Sequence, residues 1–160
     1  MQAHELARPF PVTRPEADAL EAARMLAERR LPGLIVVDDD GYPVAVLPGS
    51  QILRFVVPHY VQADPTLAHV YDEGHADRMC RRLVGRKVRD VLVPERAPRL
   101  PVVPGDAQVM EIAALMAETH SPVVAVVDGR EGRRGRLIGA ITVSDLLERL
   151  LPASAAAPDD

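Results

Sequence analysis

Self-similarity at a spacing of 90 residues constrains this chain more than any other feature. Residues 10–38 (FPVTRPEADALEAARMLAERRLPGLIVVD) lie over residues 100–128 (LPVVPGDAQVMEIAALMAETHSPVVAVVD), and eleven of the 29 positions are identical. Pro11/Pro101, Glu21/Glu111, Pro32/Pro122 and Asp38/Asp128 are among the matches, and most other positions pair apolar with apolar. Past Asp38 the spacing becomes 94, because the second copy carries four extra residues in a turn. A repeat of this length means one supersecondary unit made twice, each copy leaving an apolar face for the other to cover.

Both copies read as β-α-β-β-α. A short extended piece (PVT, PVV) comes first. Ala19, Leu20, Ala23, Met25, Leu26 and Ala27 then form one apolar helical face, and Val109, Met110, Ala113, Leu115, Met116 and Ala117 the other. The runs LIVVD and VVAVVD have the length and composition of buried strands. A turn (DDDGYP, DGREGRRGR) leads to a second strand (VAVL, LIGAI), and SQILRFVV or VSDLLERLL closes the unit as a helix. HELARP and VRDVLVP read as short lead-in helices before each copy. The expected organisation is a first unit with its lead-in helix at 1–54, an inter-repeat segment at 55–88, a second unit at 89–151 and a disordered tail at 152–160. Val70, Met79, Leu83, Val84, Val88, Val91 and Leu92 argue for short helices across the middle, punctuated by Pro58, Pro65, Pro94 and Pro98.

Composition narrows the function classes. Apolar residues are 48% of the chain, enough for a packed core, but aromatics are 3% with no Trp, so the core is aliphatic and lacks stacking platforms for bases. A net charge of −4 lacks the basic footprint of a nucleic-acid binder. No apolar run reaches membrane-spanning length and no basic-then-apolar start is visible, so a soluble cytoplasmic protein is expected. Cys80 is the lone cysteine. It reads as a small buried apolar residue, although Arg78, Arg81 and Arg82 would favour its thiolate if they approached.

Two polar positions interrupt the apolar pattern of the second copy. In GAITVSDLL, residues 139–147, Thr142 and Asp145 stand at a strand-to-helix junction. One reading is a capping box, in which Thr142 accepts from a first-turn N–H and Asp145 reaches back to the Thr142 N–H. The other is a ligand site. A helix start offers free N–H groups to phosphate, the hydroxyl adds a donor, and a carboxylate one turn in can accept both hydroxyls of a ribose. In the first copy these positions are Pro48 and Gln51. Proline has no donor and a neutral amide accepts a diol less strongly than a carboxylate, while Ser50 is out of register. One working cleft is expected, in the second copy.

A tandem β-α-β-β-α repeat carrying P-V, then LP or SP, VVD, a glycine turn and (G/A)-h-h-T-x-x-D-L-L resembles the cystathionine-β-synthase (CBS) domain, pairs of which form Bateman modules. The resemblance covers about 10–54 and 89–151. It implies an α/β (α+β) fold of two units packed sheet to sheet about a pseudo-twofold axis, with a helical inter-repeat segment longer than the family's usual linker. It assigns phosphate to Thr142 and ribose to Asp145. It puts adenine against Ser121, Pro122, Val123 and Val124, with Val102 and Val103 closing the pocket and His120 beside it. It further implies a homodimer, an adenosine-containing ligand such as AMP, ADP or ATP and no required cofactor. A regulated partner, a transporter or an enzyme by analogy, completes the expectation.

Other polar clusters read as surface. Arg130, Arg133, Arg134 and Arg136 sit in the extended turn and suit a solvated hairpin better than a phosphate contact. Asp38, Asp39 and Asp40 lack the spaced oxygens of a calcium loop. His69 and His75 are six apart, which puts them off one helical face, and His120 also reads as a helix-ending cation. No catalytic set, P-loop or metal cage is visible, which argues against an enzyme. The expectation is a ligand sensor, with a ligand-free dimerisation or interaction module of the same fold as the rival.

Overall fold

The computed structural model describes residues 1–92, 99–129 and 135–152. The turn arginines Arg130, Arg133 and Arg134, the prolines Pro94 and Pro98, and the tail from 153 lie outside them. The elements in chain order are α1 (Ala3–Leu6), β1 (Val12–Thr13), α2 (Ala19–Arg29), β2 (Gly33–Val37), β3 (Pro43–Pro48) and α3 (Gly49–Val56). The middle contributes α4 (His59–Ala63), a 3-10 stretch Pro65–Val70, α5 (Glu73–Cys80), a 3-10 turn Arg81–Leu83 and α6 (Val88–Val91). The second copy supplies β4 (Val102–Pro104), α7 (Val109–Thr119), β5 (Val123–Val127), β6 (Leu137–Thr142) and α8 (Val143–Leu150).

Each copy forms a three-stranded sheet, ordered β1-β2-β3 and β4-β5-β6, with one parallel and one antiparallel pairing. The central strands β2 and β5 are buried along their full length, which is why they read as unbroken apolar runs. One face of each sheet meets the other copy: Ile35, Val37 and Val46 pack with Val123, Ala125 and Ala140. This is the sheet-to-sheet pairing of two α/β units. The opposite faces hold the helices. Asp18 caps α2 by accepting from the Glu21 N–H at 3.0 Å. Both long helices end on a left-handed residue, Arg30 (φ 51°) and His120 (φ 52°), two positions before Pro32 and Pro122. The helix faces differ from the sequence reading: Ala27, Met110 and Ala117 are exposed, while Ala22 and Ile112 are buried.

The lead-in helices are exchanged. Ala3 and Leu6 of α1 belong to the core of the second copy, and Val88 and Val91 of α6 to that of the first. The Ala3 and His4 N–H groups donate to Ala107 and Gly105, and Arg8 exchanges two backbone bonds with Ala140, both 3.0 Å. On the other side the Val88 and Arg89 N–H groups donate to Ala17 and Pro15. Lys87 and Arg89 clasp Glu16 at 2.6 and 2.7 Å. The Lys87 hydrogen bond, with help from the Arg89 charge, holds the Glu16 carboxyl below its ordinary range.

The middle segment is helical, but no residue of the 3-10 stretch or of α5 is buried. Val70 and Val84 are exposed and Leu83 is the buried anchor. Cys80 is also exposed, which corrects its reading as a buried residue: α5 stands off the core instead of packing on it.

Candidate ligand-binding site

Strand pairing brings the predicted site residues to the start of α8. Thr142 lies opposite Val123 in the β5–β6 register, and the Val143 N–H donates to the Pro122 carbonyl at 3.2 Å. Thr142 is the N-cap of α8. Its hydroxyl accepts from the Asp145 N–H at 3.2 Å and donates to Asp145 Oδ2 at 2.7 Å, while the Thr142 N–H donates to the same oxygen at 3.0 Å. The capping box is therefore closed, and Oδ2 is saturated by it. The other oxygen, Oδ1, faces Arg8 Nε at 3.6 Å, and the Asp145 side chain keeps 20% of its exposure. A carboxylate can serve two roles at once in this way, with one oxygen structural and the other available.

Arg8 went unread in the sequence because it lies more than 130 positions from Asp145 and outside the repeat. The exchange of lead-in segments delivers it, through its backbone bridge to Ala140. Gly139 makes the bridge sterically feasible, since a Cβ there would lie 2.9 Å from the Arg8 carbonyl oxygen and 3.1 Å from Ala7 Cβ.

The apolar candidates divide by sheet face. Val102 pairs with Ala125 and shares the inter-copy face with Val123; it is 42% exposed at the edge of that interface. Val103 and Val124 point the other way, into the helical core of their own copy. Ser121 is buried, its hydroxyl donating to the Val123 carbonyl at 2.7 Å. His120 is exposed at the end of α7. Val102 and Val103 also line a cavity of about 480 Å³ with Glu111, Leu115 and Glu118, whose repeat-related twin of about 510 Å³ is lined by Val12, Thr13, Glu21 and Met25. Neither of these two cavities includes Thr142 or Asp145.

In the first copy the equivalent junction is built differently. Pro48 precedes α3 without a side-chain cap, and Gln51 is buried, donating its amide to the Val91 carbonyl at 3.1 Å. That bond needs a donor, which a carboxylate lacks, so the position secures α6. The run Asp38–Asp40 forms a plain turn in which Asp38 Oδ1 accepts from the Asp40 and Tyr42 N–H groups. Among the described residues no group of three His, Cys, Asp or Glu is arranged around a metal-sized space, and no helix is long and apolar enough to cross a membrane.

The CBS domain family model matches residues 3–58 and 88–152. A crystal structure of a CBS domain-containing protein of unknown function from Kribbella flavida is 50% identical, with a TM-score of 0.78 over 93% of this chain and 97% of its own. The CBS-pair protein CBSX2 from Arabidopsis thaliana is 20% identical, with a TM-score of 0.70 over 92% of each chain. CBSX2 in complex with AMP is 22% identical, with a TM-score of 0.63 over 92% of this chain and 94% of its own. No curated protein matches the chain.

Proposed function

The chain belongs to the CBS-domain family, as a tandem pair, and from that premise we propose that it is a regulatory sensor. It binds an adenosine-containing ligand, an adenine nucleotide, at the start of α8 and does not turn it over. The observation that carries this reading is the divided role of Asp145: Oδ2 completes the cap, while Oδ1 is left to an exposed arginine at 3.6 Å. A ribose diol donating to Oδ1 takes the place of that loose contact. The freed Arg8 guanidinium is then available to ligand phosphate, which it suits in charge and geometry. The AMP complex of CBSX2 supports the ligand class. Because Arg8 comes from the segment preceding the first copy and Asp145 from the second, a ligand between them acts on how the two copies are joined. It biases only states it binds unequally, and a partner protein reads the change. Exposed Val143, Leu147 and Leu150 of α8, with Leu151 just past its end, form an apolar stripe, which supports a homodimer.

Thermal unfolding with AMP, ADP and ATP tests the site. A ligand at about 100 times its Kd adds ~2.7 kcal/mol, a readily measured rise in Tm. Asp145→Ala is expected to lower the ligand-free Tm through loss of the cap and to abolish the ligand-induced rise. An undiminished rise in that variant, or none with any of the three in the native protein, refutes the proposal. The closed capping box favours a second reading, a ligand-free interaction module; an unmoved Tm in a protein that runs as a clean dimer is its signature.

A further inference from the structure

We propose a second binding site, for a small polyphosphate-bearing molecule, between α3 and the inter-repeat segment. A cavity of about 590 Å³ opens there, within the usual range for small-molecule sites. Its lining includes Arg54, Arg82, Arg86, His59, Tyr60 and Phe55, and none of its lining residues is Asp or Glu. Arg8, Arg14, Arg24, Lys87 and Arg89 each lie within 3.6 Å of a carboxylate, and what sets Arg54, Arg82 and Arg86 apart from the other arginines without such a partner is that they converge on one cavity. Arg54, Arg82 and Arg86 form no ion pair among the described residues. In a chain of net charge −4, three guanidinium groups facing one hollow without a counter-charge repel each other, and a bound anion removes that cost.

The arginines are held in place by the fold. Arg54 projects from α3. Leu83, buried in the first copy's core, anchors the turn that carries Arg82. Gly85 adopts φ +74°, and the turn it makes returns the Arg86 N–H to the Leu83 carbonyl at 3.1 Å. The Arg86 carbonyl in turn accepts from the Ala19 N–H at 2.9 Å. Guanidinium forks bind phosphate oxygens in pairs, so three of them suit a di- or triphosphate better than a single monoanion. Phe55, Val57 and Pro58 give an apolar wall for the organic part. The Tyr60 hydroxyl at the rim bonds the Tyr71 hydroxyl, which links the occupant to the outlying arm that carries α5.

Inorganic pyrophosphate is the probe, titrated calorimetrically into the full chain at low ionic strength. We expect saturable binding that the double variant Arg54→Gln/Arg82→Gln weakens at least about tenfold, the scale of one lost charge-assisted contact. Arg29→Gln, at the C-terminal end of α2, should leave binding unchanged. Absence of binding, equal loss in Arg29→Gln, or loss confined to Arg8→Gln overturns the proposal; the last outcome assigns the anion to the α8 terminus instead, where Arg8 lies beside Asp145. Should the double variant fold poorly, backbone amide shifts of the native protein decide. Pyrophosphate must move residues 51–60 and 80–86, and shifts spread over all surface arginines overturn the site.

Discussion

At the residue scale, one position does opposite work in the two copies. Asp145 accepts three contacts at the start of α8, whereas Gln51 donates one, from a buried side chain to the last carbonyl of α6. Removing a buried donor leaves its acceptor dry, which costs about 1–3 kcal/mol. Gln51→Leu keeps the apolar volume and loses the donor, so its urea midpoint should fall by that amount while m stays constant; an unchanged midpoint means that water replaces the amide. Half of this is legible in the sequence. Pro48 and Gln51 stand apart from Thr142 and Asp145 because donor and acceptor counts follow from residue type. The other half is not legible, because the Val91 carbonyl lies 40 positions away and becomes a partner only when α6 crosses to the first copy. Arg8 escaped for the same reason.

At the scale of elements, periodicity and turn chemistry were enough for the strands and long helices, since buried strands and αL helix ends leave local marks. The exchange of α1 and α6 leaves none. HELARP and VRDVLVP look alike, and a repeat does not say which copy each segment covers. The structure answers with paired bridges, Gln2 with Gln108 and Lys87 with Asp18, one on each side of the pseudo-dyad. The middle arm misled for another reason: its apolar residues follow helical spacing, but Val70 and Val84 meet no core. Gly139 is the element-level test of the α1 exchange. The position holds Ala45 in the first copy, but here a methyl would press on the Arg8 carbonyl. Gly139→Ala should destabilise by about 1–3 kcal/mol, the usual cost of overpacking. It should also raise hydrogen exchange at the Arg8 and Ala140 amides, while exchange in β2 keeps its native rate relative to global unfolding. An unchanged Arg8 amide would mean the lead-in segment accommodates the methyl without leaving β6.

At the scale of the whole molecule, the two copies cannot be read as independent domains. Each sheet buries one face against the other copy, and each helical core is completed by the lead-in helix that precedes the other copy in sequence. Removing either copy would expose the Ile35–Val123 face and strip two residues from the remaining core. The fold therefore predicts one cooperative transition even though the chain is a duplication. Ile35→Ala is a stringent probe, because this fully buried side chain belongs to the shared cluster and to neither helical core. The truncation should cost about 2–5 kcal/mol, and at this chain length each kcal/mol lowers Tm by roughly 2–4 °C. Calorimetry should show a single peak moved down as a unit, with its van't Hoff and calorimetric enthalpies still equal. If instead the first copy melts early and a second peak stays at the native temperature, the copies are separable. A ligand held by Arg8 and Asp145 would then have no rigid frame through which to act on both.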